Sequence, residues 1–228
     1  MASPETVTRL VRAASLVHKT SGPVLSEADR SSRVALVLRG TVVATWSTPE
    51  GRSVYAGLYG PGQFMGLATL SGGPMTVGID AVSDVTALAW TSREFRQIAA
   101  SDPAMALDLL DRSIYAIQAL NHLIKIQKFT RARSRLAAML LKYEPFCFAS
   151  DAPLVPRGQL GALAGVTPRM VSTILSDWEA AGIVRRIGVS GLELVDRSAI
   201  EAEAAPLDAF PLPDPAVPGA WSVPSPET

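Results

Sequence analysis

Between residues 34 and 90 the hydrophobic positions fall in short runs, separated by glycine, proline and polar breakers. The runs are 34–38, 41–46, 53–59, 75–81 and 85–90. The breakers are Arg39-Gly40, Pro49-Glu50-Gly51, Gly60-Pro61-Gly62 and Ser71-Gly72-Gly73-Pro74. Short β-type runs at this spacing predict a sandwich or barrel of the jelly-roll kind. Ahead of them, residues 7–14 read as a short amphipathic helix.

After residue 90 the period changes from strand to helix. Thr91-Ser92-Arg93-Glu94 has the pattern of a capping box and opens a helix. Asp102-Pro103 starts another that runs to about Phe129. Along it Leu107, Leu110, Ile114, Ile117, Asn121, Ile124 and Lys128 recur alternately three and four apart. Such a heptad seam predicts dimerisation through this helix, with Asn121 as a polar register residue. The alternative is a long helix packed on its own domain's core. Residues 130–134 form the expected hinge into a second domain, whose first helix ends near Tyr143-Glu144-Pro145.

The second domain carries the sharpest signal. In residues 159–175 two short helical patterns meet at Gly165. The first has Leu160, Leu163 and Ala164 on one face; the second has Val171, Ile174, Leu175 and Trp178. Thr167 followed by Pro168 is a helix start, because the hydroxyl accepts from a free amide and proline fits the first turn. Gly182 is the stop. Strand, glycine turn and strand follow, as Ile183-Val184-Arg185-Arg186-Ile187, then Gly188 to Gly191, then Leu192-Glu193-Leu194-Val195. Two helices about a tight turn, backed by a hairpin wing, predict a winged helix-turn-helix whose second helix enters the DNA major groove. A helical hairpin serving protein contacts is the plainer alternative.

Charge at first argues against nucleic acid, since the 228 residues hold 21 basic and 21 acidic side chains. It is segregated, however. Residues 128–197 carry ten Lys/Arg against six Asp/Glu, while 198–228 carry five acidic residues and no Lys or Arg. The acidic, proline-rich end thus hides a basic module. That end, from residue 201, is expected to be disordered or loosely docked. No apolar run is long enough to span a bilayer, and the first residues lack the pattern of a signal peptide, so the cytoplasm is the expected compartment. The single Cys147 excludes an internal disulfide and, in its apolar setting, reads as an inert packed thiol. No Ser/His/Asp arrangement, phosphate loop or metal-ligand cluster is present, so no enzyme activity is expected.

A β-roll, a long helix and a winged helix-turn-helix in this order resemble the CRP/FNR superfamily of bacterial transcription regulators, related to the cyclic-AMP receptor protein. The resemblance covers residues 15 to 200 or so. It rests on Leu38-Arg39-Gly40, Pro49-Glu50-Gly51-Arg52, Gly60-Pro61-Gly62-Gln63-Phe64-Met65-Gly66, Phe95-Arg96-Gln97-Ile98 and Asp102-Pro103, together with the helix-turn-helix. It implies an α+β chain with four parts: a cyclic nucleotide-binding-like roll (1–101), a dimerisation helix (102–129), a winged helix-turn-helix (130–200) and a tail (201–228). A homodimer on a near-palindromic operator, and contact with RNA polymerase, belong to the same expectation.

The resemblance also implies two sites. Family members that bind cyclic nucleotides use a Glu for the ribose and an Arg-Ser/Thr pair for the phosphate. Here Leu67, after Gly66, stands where the Glu belongs, and Met75-Thr76 where Arg-Ser/Thr belongs. A phosphate buried there would lack its charged partner, so cyclic AMP and cyclic GMP are not expected ligands. The candidate pocket residues are Gly66, Leu67, Met75, Thr76, Leu120 and Asn121, for another small effector or for a filled core. One cysteine rules out the cluster of the oxygen-sensing branch. Haem is not expected either, with His18 near the N-terminus and His122 on the long helix as the only histidines. In the recognition helix, the family's Arg-Glu pair and later Arg fall on Pro168, Arg169 and Thr173. Arg169 is then the candidate base reader, with Thr167, Ser172, Thr173 and Ser176 as small polar neighbours. Arg157, Gln159, Arg185 and Arg186 are assigned to backbone phosphates.

Overall fold

A computed structural model of the chain describes residues 2–25, 29, 32–47, 51, 53–73, 75–148, 154–189 and 191–204, with the side chains at 115, 119, 122 and 123 left outside the description. The chain divides into two compact units, and the boundary lies between Ile117 and Gln118. In the first unit, helix α1 (Pro4–Ala13) is capped by Ser3, whose hydroxyl accepts from the Thr6 amide at 3.2 Å. Strands β1 (Ser15–Lys19), β2 (Gly22–Pro23), β3 (Arg33–Arg39), β4 (Val42–Ser47), β5 (Ser53–Tyr59), β6 (Phe64–Met65), β7 (Gly78–Ala81) and β8 (Val85–Thr91) follow. They form two four-stranded antiparallel sheets, in the orders β1-β8-β3-β6 and β2-β7-β4-β5.

The period-two geometry of a strand explains how one sheet serves two cores. Ala35 and Val37 of β3, with Ala87 and Ala89 of β8, face the second sheet and pack with Val42, Ala44, Ile79 and Ala81. The alternate residues Val34, Leu36 and Trp90 face the other way. They pack with Leu10, Phe95, Ile98 and Met105, from α1, α2 (Ser92–Ala100) and the start of α3 (Pro103–Phe129). A strand buried on both faces reads as an unbroken apolar run, as 34–38 does. The Trp90 indole N–H is satisfied by the Leu10 carbonyl at 2.7 Å, and its ring lies 5.4 Å from that of Phe95.

Local signals place the helices. The capping box on α2 is complete, with Thr91 and Glu94 satisfying each other's amides. Asp102 is buried before α3. It accepts from the Ala104 and Met105 amides at 3.0 and 3.2 Å and from the Ser3 amide at 2.9 Å. The Thr6 hydroxyl, ahead of these amides, holds its carboxyl well below the usual range.

The strand pattern needs correction in two respects. The run 75–81 is strand only from Gly78, where a Cβ would meet Thr45 Oγ1 at 2.6 Å; glycine there lets β4 and β7 close. The pattern does not predict strands β1, β2 and β6, because β2 and β6 are two residues long and β1 is mostly exposed. His18 sits in β1 opposite Thr86, 3.3 Å from Asp84.

The second unit holds the last turns of α3, then α4 (Ala132–Lys142), α5 (Glu144–Cys147), α6 (Arg157–Ala164), α7 (Pro168–Ala180), the hairpin β9 (Val184–Ile187) and β10 (Gly191–Leu194), and α8 (Arg197–Glu203). Leu136, Leu140, Leu160, Trp178, Leu192 and Ile200 are its fully buried large side chains. Helix α8 corrects the assignment of 201–228 to the tail: Glu201 and Glu203 are helical and Ile200 is core. Residues 205–228 lie outside the described residues.

Candidate nucleic-acid interface

Helices α6 and α7 meet as the sequence predicts. Gly165 ends α6 at φ +62°, a left-handed conformation that costs a residue with Cβ about 1–2 kcal/mol. Gly161 admits the close approach of the turn, since a Cβ there would lie 2.5 Å from the Val166 carbonyl oxygen. Thr167 caps α7, its hydroxyl accepting from the Met170 amide at 3.3 Å, and Pro168 takes the first turn. Val171, Ile174, Leu175 and Trp178 are all buried, so the opposite face of α7 is set toward solvent.

That face presents Arg169, Met170, Ser172, Thr173 and Ser176, all exposed. Arg169 and Ser172 make no intramolecular side-chain bond among the described residues, and their donors are free for a ligand. Thr173 returns its hydroxyl to the Arg169 carbonyl at 3.2 Å, and the Thr167 hydroxyl serves the cap. Met170 was missed by the sequence reading, although its position beside Arg169 and outside the buried stripe already marked it as exposed. At 46% exposure its thioether is an apolar contact of the kind a thymine methyl accepts.

The arginines assigned to phosphates are all close to the helix pair or the wing, and each already has a partner. Arg185 lies opposite Glu193 in the β9-β10 register and pairs with it at 3.0 Å. Arg186 reaches Glu179 at 3.4 Å and donates to Ser176 Oγ at 2.8 Å. Arg157 donates to the Val189 carbonyl at the wing turn. Gln159 is half-buried and is not without a partner.

Two further arginines, unassigned from sequence, hold the helices in place. Arg135 on α4 donates to the Ala164 and Gly165 carbonyls at 3.2 and 3.0 Å, and to the Thr130 carbonyl at 2.6 Å. The carbonyls that end α6 are thereby satisfied by a cation, which also suits the negative end of the helix dipole. Arg133 pairs in two-pronged fashion with Glu203 on α8, reaches Asp177 on α7 at 3.2 Å, and lies 5.3 Å over the Trp178 ring. Its hydrogen bonds hold the Glu203 carboxyl below the usual range. The Trp178 N–H lies near that carboxylate and adds a smaller share to this effect without reaching hydrogen-bond geometry. A separation of 70 residues left no periodic signal for the Arg133–Glu203 pair.

The candidate effector residues of the first unit do not share one environment. Leu67 opens a 3-10 turn (Leu67–Ser71) and packs with the helix-side cluster around Val34 and Phe95. Met75 packs with the roll interior, while Thr76 is exposed. Gly66 allows a tight fit, its Cβ position being 2.4 Å from the Arg33 carbonyl oxygen and 3.3 Å from Met75 Sδ. Leu120 and Asn121 lie exposed in the part of α3 that belongs to the other unit. Leu107, Leu110, Ile114, Ile117 and Ile124 are exposed too, by 43–60%. The His122 side chain lies outside the described residues. Cys147 is buried, and burial pushes its thiol up to about 12, a setting for packing and not for redox chemistry. No group of metal-ligating side chains occurs among the described residues, and no described helix is long and apolar enough to cross a membrane.

Comparisons with known proteins agree with this division. Residues 19–102 match the model of the cyclic nucleotide-binding domain and residues 134–203 that of the Crp-like helix-turn-helix domain. The nitrogen fixation regulation protein FixK of Bradyrhizobium diazoefficiens is 28% identical over 197 residues, covering 83% of this chain and 81% of its own. Two solved structures share the fold. FixK2 from Bradyrhizobium japonicum has a TM-score of 0.67 at 20% identity, over 84% of this chain and 98% of that one. A CooA variant from Carboxydothermus hydrogenoformans has a TM-score of 0.63 at 20% identity, over 86% and 90%.

Proposed function

The chain belongs to the CRP/FNR family of DNA-binding transcription regulators, and on that premise we infer that it acts in the cytoplasm as a homodimer that reads a near-palindromic operator. The observation that carries this is the exposed, unpaired Arg169 at the leading end of a helix whose other face is fully anchored. Arg169 contacts a guanine edge, Met170 a neighbouring methyl, and Ser172 and Thr173 complete the base-facing row. The exposed seam from Leu107 to Ile124 is covered by a second copy, which brings two recognition helices to successive major grooves about 34 Å apart.

Selection of bound sequences from a random DNA pool tests this reading. A two-fold symmetric consensus is expected, with binding that weakens steeply as salt rises. Arg169→Ala should cost about 1–3 kcal/mol on that consensus and relax its specificity. Equal losses on consensus and random DNA would remove Arg169 from the role of base reader.

For the roll we favour an effector other than a cyclic nucleotide, bound in the first unit and coupled to DNA affinity. Met75, packed into the roll interior with Val77, supports a second reading in which the roll is a filled scaffold that acts through protein contacts such as RNA polymerase. Calorimetric titration with a metabolite library separates the two: a ligand that also changes operator affinity eliminates the scaffold.

A further inference from the structure

Three of the four arginines in and around the helix-turn-helix and wing are bonded within the protein, and two of those three by carboxylates. Between residues 157 and 194 four arginines stand against three acidic side chains, so a module that faces a polyanion carries almost no net charge. Asp177 is turned to Arg133, and the other two acids meet the wing. Glu193 lies directly across the hairpin from Arg185, and Glu179, in the last turn of α7, meets both Arg186 and its backbone amide.

We propose that Glu179 and Glu193 are built-in competitors of DNA phosphate, which hold the wing arginines and so weaken the protein's grip on DNA of every sequence. This rests on the DNA-binding reading above. Both pairs are partly exposed, with Arg185 and Glu193 side chains 67% and 44% accessible. Exposed pairs of this kind are weak and are not needed for folding, and a phosphate draws on the same guanidinium donors. Phosphate contacts carry no sequence information. Their attenuation lowers affinity for operator and unrelated DNA alike, and leaves the discrimination between them to Arg169. Glu193 acts through Arg185 and is a positioning residue; it does not itself touch DNA.

The test compares the full-length wild type with Glu193→Gln, Arg185→Gln and the double variant. Each is titrated with the selected operator duplex and with a random duplex over a range of salt. The proposed dimer carries two such pairs, so Glu193→Gln should tighten both duplexes about four- to twenty-five-fold at low salt and steepen the salt dependence by about 1.8 in the log–log slope. The operator-to-random ratio should stay the same. In the Arg185→Gln background the same change should leave the slope where it was. A merely structural Glu193 would give weaker binding or none of these changes, and either result overturns the proposal. So does an equal steepening without Arg185, which would mean long-range charge and not a held arginine. Wild-type protein that binds neither duplex would sink the DNA-binding reading itself, a result distinct from wild-type binding that Glu193→Gln leaves unchanged.

Discussion

Helices α3 and α7 carry apolar residues at similar spacing, yet one is completed within the chain and the other is not. On α7 the stripe Val171, Ile174, Leu175 and Trp178 is covered by the unit's own core, with exposures of 0–7%. On α3 the stripe from Leu107 to Ile124 stays open at 43–60%. A buried stripe fixes a helix and so aims its polar face, which is what base reading needs. An open stripe of that length is the surface that the proposed dimer would cover, since scattered single apolar residues are ordinary on a surface but a continuous seam is not.

The largest effect should come from removing the anchor of α7. Trp178→Ala is expected to cost about 3–5 kcal/mol in chemical denaturation, through lost burial and the cavity left behind. A loss below about 1 kcal/mol would mean that α7 is held elsewhere and would end the contrast with α3. Ile117→Lys, at a position 60% exposed in the single chain, should leave each unit folded while shifting sedimentation from dimer to monomer. Operator affinity should then drop by about 100-fold or more, as the second half-site contact is lost. A variant that stays dimeric would remove the seam from the interface. Gly165→Ala should destabilise by about 1–2 kcal/mol, because alanine resists the left-handed conformation. The Gln127 side chain, 3.0 Å from the new Cβ, would also have to yield. An unchanged melting temperature would show that the turn can be rebuilt.

The smallest effect concerns acid. The Glu203 carboxyl is held below its ordinary 4.5 in the folded chain by Arg133. Its contribution is therefore complete above about pH 4.5 and drains away as the pH falls through the lower folded value. Melting followed from pH 6 to about pH 3 should show a shallower acid limb in Glu203→Gln than in the wild type. Parallel limbs would indicate that the tie from Arg133 to α8 adds nothing to stability.

Much of this molecule is determined by the sequence alone. Periods of two and of three to four set the roll, the long helix and the helix pair. Gly165, Thr167-Pro168 and Gly182 set the boundaries of α6 and α7, because capping and left-handed turns are local chemistry. The short strands β1, β2 and β6 escaped, since two paired residues or an exposed edge leave no apolar pattern. Tertiary structure alone decided which arginines are free. Arg185 and Arg186 look alike in sequence to any phosphate-binding pair, and only the hairpin register and the end of α7 bring Glu193 and Glu179 to them. The same holds for Arg133, whose partners Asp177 and Glu203 lie 44 and 70 residues away. Charge pairing across such distances is a property of the folded chain, because no periodicity links residues whose neighbourhood exists only after the helices have packed.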